Sequence, residues 1–196
     1  PPVTGAVGDC ASLGARLLQG CLRAERLRMP NVFGQSGRVR AQAAEIFDRT
    51  VARAREPVFY SRLGVADTMD GRFDLLVLHA WLALSWLKAR GEADTAQALI
   101  DRIFVSFDES LRELGIGDIG IGHRVKKMAD AFYGRLDAYS AAAGEAELAA
   151  AIMRNIFRSD HAPSEAARSI ARYANAAQAI LKAGPPELDF GALPGA

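Results

Sequence analysis

The 196-residue sequence predicts an all-α protein with one compact domain of about six helices. Three observations carry that reading. Apolar residues recur at helical spacing in several separate stretches, and no stretch alternates with the two-residue period of a strand. Alanine is dense at 41–44, 141–151 and 166–179, which suits helices that approach closely. Pro57, Gly144 and Gly184-Pro185-Pro186 fall between the stretches, where helices must stop. With 50% hydrophobic and 24% charged residues, the chain has the composition of a packed domain with a solvated surface.

Residues 1–36 read as an N-terminal arm. It carries Arg16, Arg23, Arg26 and Arg28 against Asp9 and Glu25, which suits a transit-like segment, a processed leader or a helical arm alike. Its cysteines, Cys10 and Cys21, are the only two in the chain. On a helix they lie roughly 16 Å apart at ~1.5 Å per residue, and a disulfide needs Cα atoms within about 7 Å. Two free thiols and a reducing compartment are expected.

The helical domain spans 37–183. From Arg38, Val39, Ala43, Ile46, Phe47, Thr50, Val51 and Ala54 make one stripe, and Pro57 ends it. Residues 58–64 read as a short aromatic linker. Residues 67–74 are polar and suit a helix cap, with Asp70 and Gly71 as the turn-holding pair. Residues 75–87 are apolar almost throughout, but too few to span a bilayer, which takes about 18 or more. They predict a fully buried helix. A stripe from Ala96 to Leu111 predicts the next one.

Then comes the most unusual stretch. Gly115, Gly117, Gly120 and Gly122 put four glycines in eight residues, although a helix needs only one to stop. A hinge is predicted, with Gly117 in it and Asp118 capping a basic amphipathic helix from His123. On that helix Val125, Met128, Phe132, Leu136 and Tyr139 face inward, while Arg124, Lys127 and Arg135 share another side. Two further helices follow, one carrying Leu148, Ile152 and Ile156 and one ending near Leu181. Residues 184–196 read as a loose tail.

Chemical motifs are sparse. Gly115-x-Gly117-x-x-Gly120 matches the dinucleotide fingerprint in letters but follows a helix rather than a strand. No glutamate has a histidine three residues later, and His79, His123 and His161 are scattered, so no metal is expected. Residues around Asp67 and Asp70 fail as a calcium loop, because Ala66 and Val77 stand where carboxylates are required. No acid–base pair or nucleophile elbow stands out. A non-enzyme without cofactor is expected. A net charge of +1 gives no general pull toward nucleic acid, leaving local patches to act.

One set of motifs, taken in order, resembles a known family. They are Phe59-Tyr60, Gly64 to Leu75, Leu78-His79-Ala80, Gln97-Ala98-Leu99 with Asp101, Phe107 to Glu113, and Gly117-Asp118 through Lys126-Lys127-Met128 to Arg135. Together they resemble the ubiquinol–cytochrome c chaperones, assembly factors of respiratory complex III, from about Phe47 to Leu181. The resemblance implies an all-helical, non-enzymatic chaperone. Mitochondrial members, with a small partner, bind newly made cytochrome b near the ribosome exit. The Ala/Arg-rich composition and short N-terminal segment look like a bacterial member, which implies the cytoplasm, peripheral to the inner membrane, or the mitochondrial matrix for a eukaryotic one. Cytochrome b or its nascent chain is the implied client. A holdase needs an apolar groove with a charged rim. Phe59, Tyr60, Phe73, Trp81, Trp86, Phe132 and Tyr133 are the candidate apolar surface, and Arg72, Arg124, Lys127 and Arg135 the candidate rim. Two other classes stay open: a membrane- or ribosome-docking adaptor built on the basic helix, and an enzyme with an anionic substrate.

Overall fold

The computed structural model describes residues 36–113 and 118–195, the side chains of 118–121 excepted. Nearly all of the N-terminal arm, both cysteines and Gly117 lie outside the described residues. Those described contain helices and no strand. The helices are α1 (Gly37–Ala54), α2 (Pro57–Ser61), α3 (Met69–Ala89), α4 (Ala93–Glu113), α5 (Asp118–Ala141), α6 (Glu145–Asn155) and α7 (Glu165–Lys182).

The starts are written in the sequence. Ser36, Thr68 and Ser164 each accept a backbone N–H of the first turn, from Val39, Gly71 and Ala167, and so cap α1, α3 and α7. Thr68, rather than Asp70, is therefore the cap of α3, and Asp70 sits in its first turn. Pro57 both stops α1 and begins α2, because its fixed φ suits a first helical position and its missing N–H costs nothing there. The expected linker is thus a one-turn helix. It buries Phe59, and the Tyr60 hydroxyl bonds the Ala54 carbonyl at 2.9 Å.

α3 is the axis of the domain. It touches α1, α4, α5 and α7, and its residues from Leu75 to Leu87 are mostly buried. The apolar sequence needed neighbours on every side, and the fold supplies them. α1 packs on α4, α6 on α7, and α5 bridges α4 to α6.

Two further expectations need correction. α5 begins at Asp118, five residues before the expected start, so Gly120 and Gly122 are helical. Glycine permits a turn without forbidding a helix, at a cost of about 1 kcal/mol each. The second concerns the chain after Gly184, which is not loose. Gly184 turns with φ +67°, a conformation open to glycine, and the chain folds back over the core. Leu188 and Phe190 are buried, and the Pro185 carbonyl accepts the Trp86 indole N–H at 2.9 Å. The tail completes the core that α3 and α7 leave open.

Candidate functional site

The described surface has a large groove with an apolar floor. It lies between α1, α3, α4 and α5 and encloses about 510 Å³. Phe47 and Val51 of α1, Phe73 and Leu76 of α3, Phe107 of α4 and Met128 of α5 line it. Each comes from the stripe its helix turns toward its neighbours, where adjacent helices splay enough to leave a trough. Met69, at the mouth, is 49% exposed and is among the few large apolar side chains left in water. The rim carries both signs: Asp48, Glu109 and Glu113 against Arg55 and Arg72. Arg72 is partly committed, donating to Asp67 at 2.7 Å, and Glu109 accepts from Arg102 at 3.1 Å.

A buried ionic cluster braces one wall. Asp74 is fully buried one residue beyond Phe73. Arg135 of α5 reaches it at 2.7 Å, and Arg158 from the α6–α7 connection at 3.0 Å. Arg158 adopts φ +52°, rare for a side-chain-bearing residue. That backbone carries its guanidinium to Asp74 and, at 3.6 Å, to Asp70. Arg135 also lies over the Phe73 ring, 5.2 Å from its centroid, and so locks a groove-lining side chain. Burial raises the Asp74 carboxyl to about 6, and the two arginines offset this only in part. The Arg135 Nε and the buried Tyr139 hydroxyl beside this cluster have no hydrogen-bond partner among the described residues, and burial raises the Tyr139 pKa.

Aromatic rings carry the wall onward. Phe73 meets Phe107 at 5.3 Å, Phe107 meets Phe104 at 5.7 Å, and Phe104 meets Phe132 and Tyr133 at 5.4 and 6.1 Å. Such pairs resist a shift of any single helix.

The candidates chosen from the sequence divide. Arg72 lines the groove. Arg124 and Lys127 are exposed on α5, just before groove-lining Met128. Arg135 does not join that rim; its side chain is only 12% exposed and belongs to the Asp74 cluster. Trp81 is buried and faces a different cleft, its indole N–H on Ser140 at 3.1 Å. Tyr133 is half-buried in the aromatic chain. Gly71 has a steric reason for its identity: a Cβ there collides with the Ala66 carbonyl oxygen. Asp118 stands at the start of α5, and Gly117 lies outside the described residues. Sequence reasoning missed Phe47, Val51, Phe107 and Met128 as groove residues, because an apolar stripe does not distinguish core from trough. It also missed Asp74 with Arg158. A charge opening the most apolar run of the chain was the available signal.

No group of three or more His, Cys, Asp or Glu among the described residues is arranged to hold a metal ion. None of the described helices is long and apolar enough to cross a membrane.

The described residues thus form an all-helical domain with an apolar trough inside a rim of both charges. The ubiquinol–cytochrome C chaperone family matches residues 61–187, and the chain belongs to that family. Its fold is similar to that of the Cbp3 homolog from Brucella abortus, with 34% sequence identity and a TM-score of 0.65, over 87% of this chain and 89% of that one. No curated protein matches the chain.

Proposed function

We propose that this protein is an assembly chaperone of the ubiquinol–cytochrome c reductase complex that holds an apolar segment of newly made cytochrome b in the groove between α1, α3, α4 and α5. Membership of the chaperone family supports the first part. The observation that carries the second is the groove itself, an apolar floor with Met69 at its mouth inside a rim of both charges. Methionine is unbranched and polarizable, so it adapts to segments of different shape. The binding is suited to release. Burying about 300 Å² of apolar client surface yields about 7 kcal/mol at ~25 cal/mol per Å², and association costs of similar size offset much of it. Nothing in this role requires a bond to be made or broken.

A photo-crosslinking amino acid at Met69 tests the reading in respiring cells. Cytochrome b is expected to crosslink from position 69 and not from Arg168, an exposed position of α7 outside the groove. Crosslinking from neither position, or equally from both, sinks the proposal.

A second reading rests on the exposed start of α5, where Arg124 and Lys127 make no ion pair among the described residues. It makes the chain an adaptor on an anionic membrane or ribosome surface. Reversing both charges then abolishes salt-dependent binding to anionic vesicles or ribosomes. If cytochrome b crosslinking from position 69 survives that reversal, the groove is the client site and the basic end is separate.

A further inference from the structure

A second concavity, of about 410 Å³, lies where the C-terminal ends of α3 and α7 meet the α5–α6 connection. Its chemistry differs from that of the groove. Ala89, Ala142 and the edge of Trp81 give it an apolar side, with Tyr139 and Leu148 buried behind them. Lys88, Lys182, Asn175 and Gln178 converge on it, and none of the four makes a side-chain hydrogen bond or ion pair among the described residues. No carboxylate lines it, whereas the groove between α1, α3, α4 and α5 carries charges of both signs. The floor is preorganised: Trp81 donates to Ser140 at 3.1 Å, Ser85 donates to the Trp81 carbonyl at 2.8 Å, and the Trp81 and Tyr139 rings lie 5.8 Å apart.

A lysine in the last turn of a helix is ordinarily explained by the carbonyl end it complements. That accounts for Lys88 and Lys182 one at a time. It does not account for two lysines and two unengaged amides sharing a concavity with an apolar side and no acid. We infer that this cleft binds a small organic anion, a carboxylate or phosphate carried on an aromatic or apolar body. The lysines supply the charge, the amides orient the head group, and Ala89, Ala142 and the Trp81 edge pack the body. The volume falls in the range of small-ligand pockets, about 300–1,000 Å³. The inference is independent of the client groove.

Calorimetry on the full chain with 1-naphthyl phosphate, 1-naphthol and inorganic phosphate tests it. The first is expected to bind one-to-one, at least about tenfold more tightly than either fragment and more weakly at high salt. It is also expected to shift the Trp81 indole N–H resonance. K88Q/K182Q is expected to cost about tenfold or more in affinity while the chain stays folded, with only the small drop in thermal midpoint that loss of two helix-end cations brings. M69S, in the other groove, is expected to have no effect. Naphthol binding as tightly as naphthyl phosphate overturns the assignment, and so does indifference to K88Q/K182Q. Tighter binding of a tetraglutamate peptide overturns it in favour of a polypeptide partner.

Discussion

Asp74 shows how single residues set the stability of the groove wall. Its carboxyl is raised from 3.8 to about 6 because burial outweighs Arg135 and Arg158. The folded protein therefore holds this proton where the unfolded chain has released it. Stability from this group is present below about pH 3.8 and is lost as pH rises toward 6, by something on the order of 2–3 kcal/mol. Above pH 6 the effect is flat. D74N removes the titration, so the stability of D74N relative to the native chain should climb between pH 4 and 6 and then level off. Urea unfolding of both proteins at pH 4, 5, 6 and 7.5 measures this. A relative stability that stays nearly flat over that window means that the arginines win and the carboxyl is not raised. The comparison must be relative because His79 acts in the opposite sense. Burial lowers its pKa to about 4, so the native chain loses stability as pH falls from 6.5.

At the scale of the helix, glycine means different things at different places. Gly71 and Gly134 both lie in helices, where alanine normally stabilises by about 1 kcal/mol. A Cβ on Gly134 meets nothing, so G134A should stabilise by about 0.5–1 kcal/mol. A Cβ on Gly71 collides with the Ala66 carbonyl, which must move away from the start of α3, so G71A should cost about 1–3 kcal/mol instead. Opposite signs in thermal unfolding check the pair, and a stabilised G71A refutes the close packing of the 65–68 turn on α3. The sequence could not separate these two glycines, because the obstacle is a backbone atom outside the helix. The same limit explains the misplaced start of α5. Glycine density signals backbone freedom, and whether that freedom is used depends on neighbours. Caps act locally, since Ser36, Thr68 and Ser164 reach atoms three residues away, yet within the polar run 67–74 the sequence offered Asp70 where the hydrogen bond selects Thr68.

The whole molecule is closed by its last residues. α3 was legible as a buried helix because its apolar run leaves no polar face, and that alone required helices around it. The tail was not legible, since Gly, Pro and a few apolar residues describe a strap as well as a loose end. What makes it a strap is distant in sequence. Phe190 meets His79 edge-on at 5.5 Å, the Arg53 guanidinium lies over the Phe190 ring at 5.7 Å from its centroid, and Arg62 donates to the Gly195 carbonyl at 3.1 Å. His79 is held by its Nδ1–H to the Leu75 carbonyl at 2.8 Å and accepts the Tyr173 hydroxyl at 2.9 Å, the arrangement a neutral ring requires. Phe190 thus seals a neutral histidine from water. F190A should cost about 3–5 kcal/mol at pH 7.5 through the cavity it leaves. It should also hydrate His79 and let its pKa return toward 6.5. The mutant then loses less stability than the native chain as pH falls from 6.5 toward 4, so the gap between them narrows on acidification. Unfolding at pH 7.5, 6 and 5 measures that gap. A constant gap places the sealing of His79 with Phe59 and Tyr173 alone and leaves the tail only a packing role.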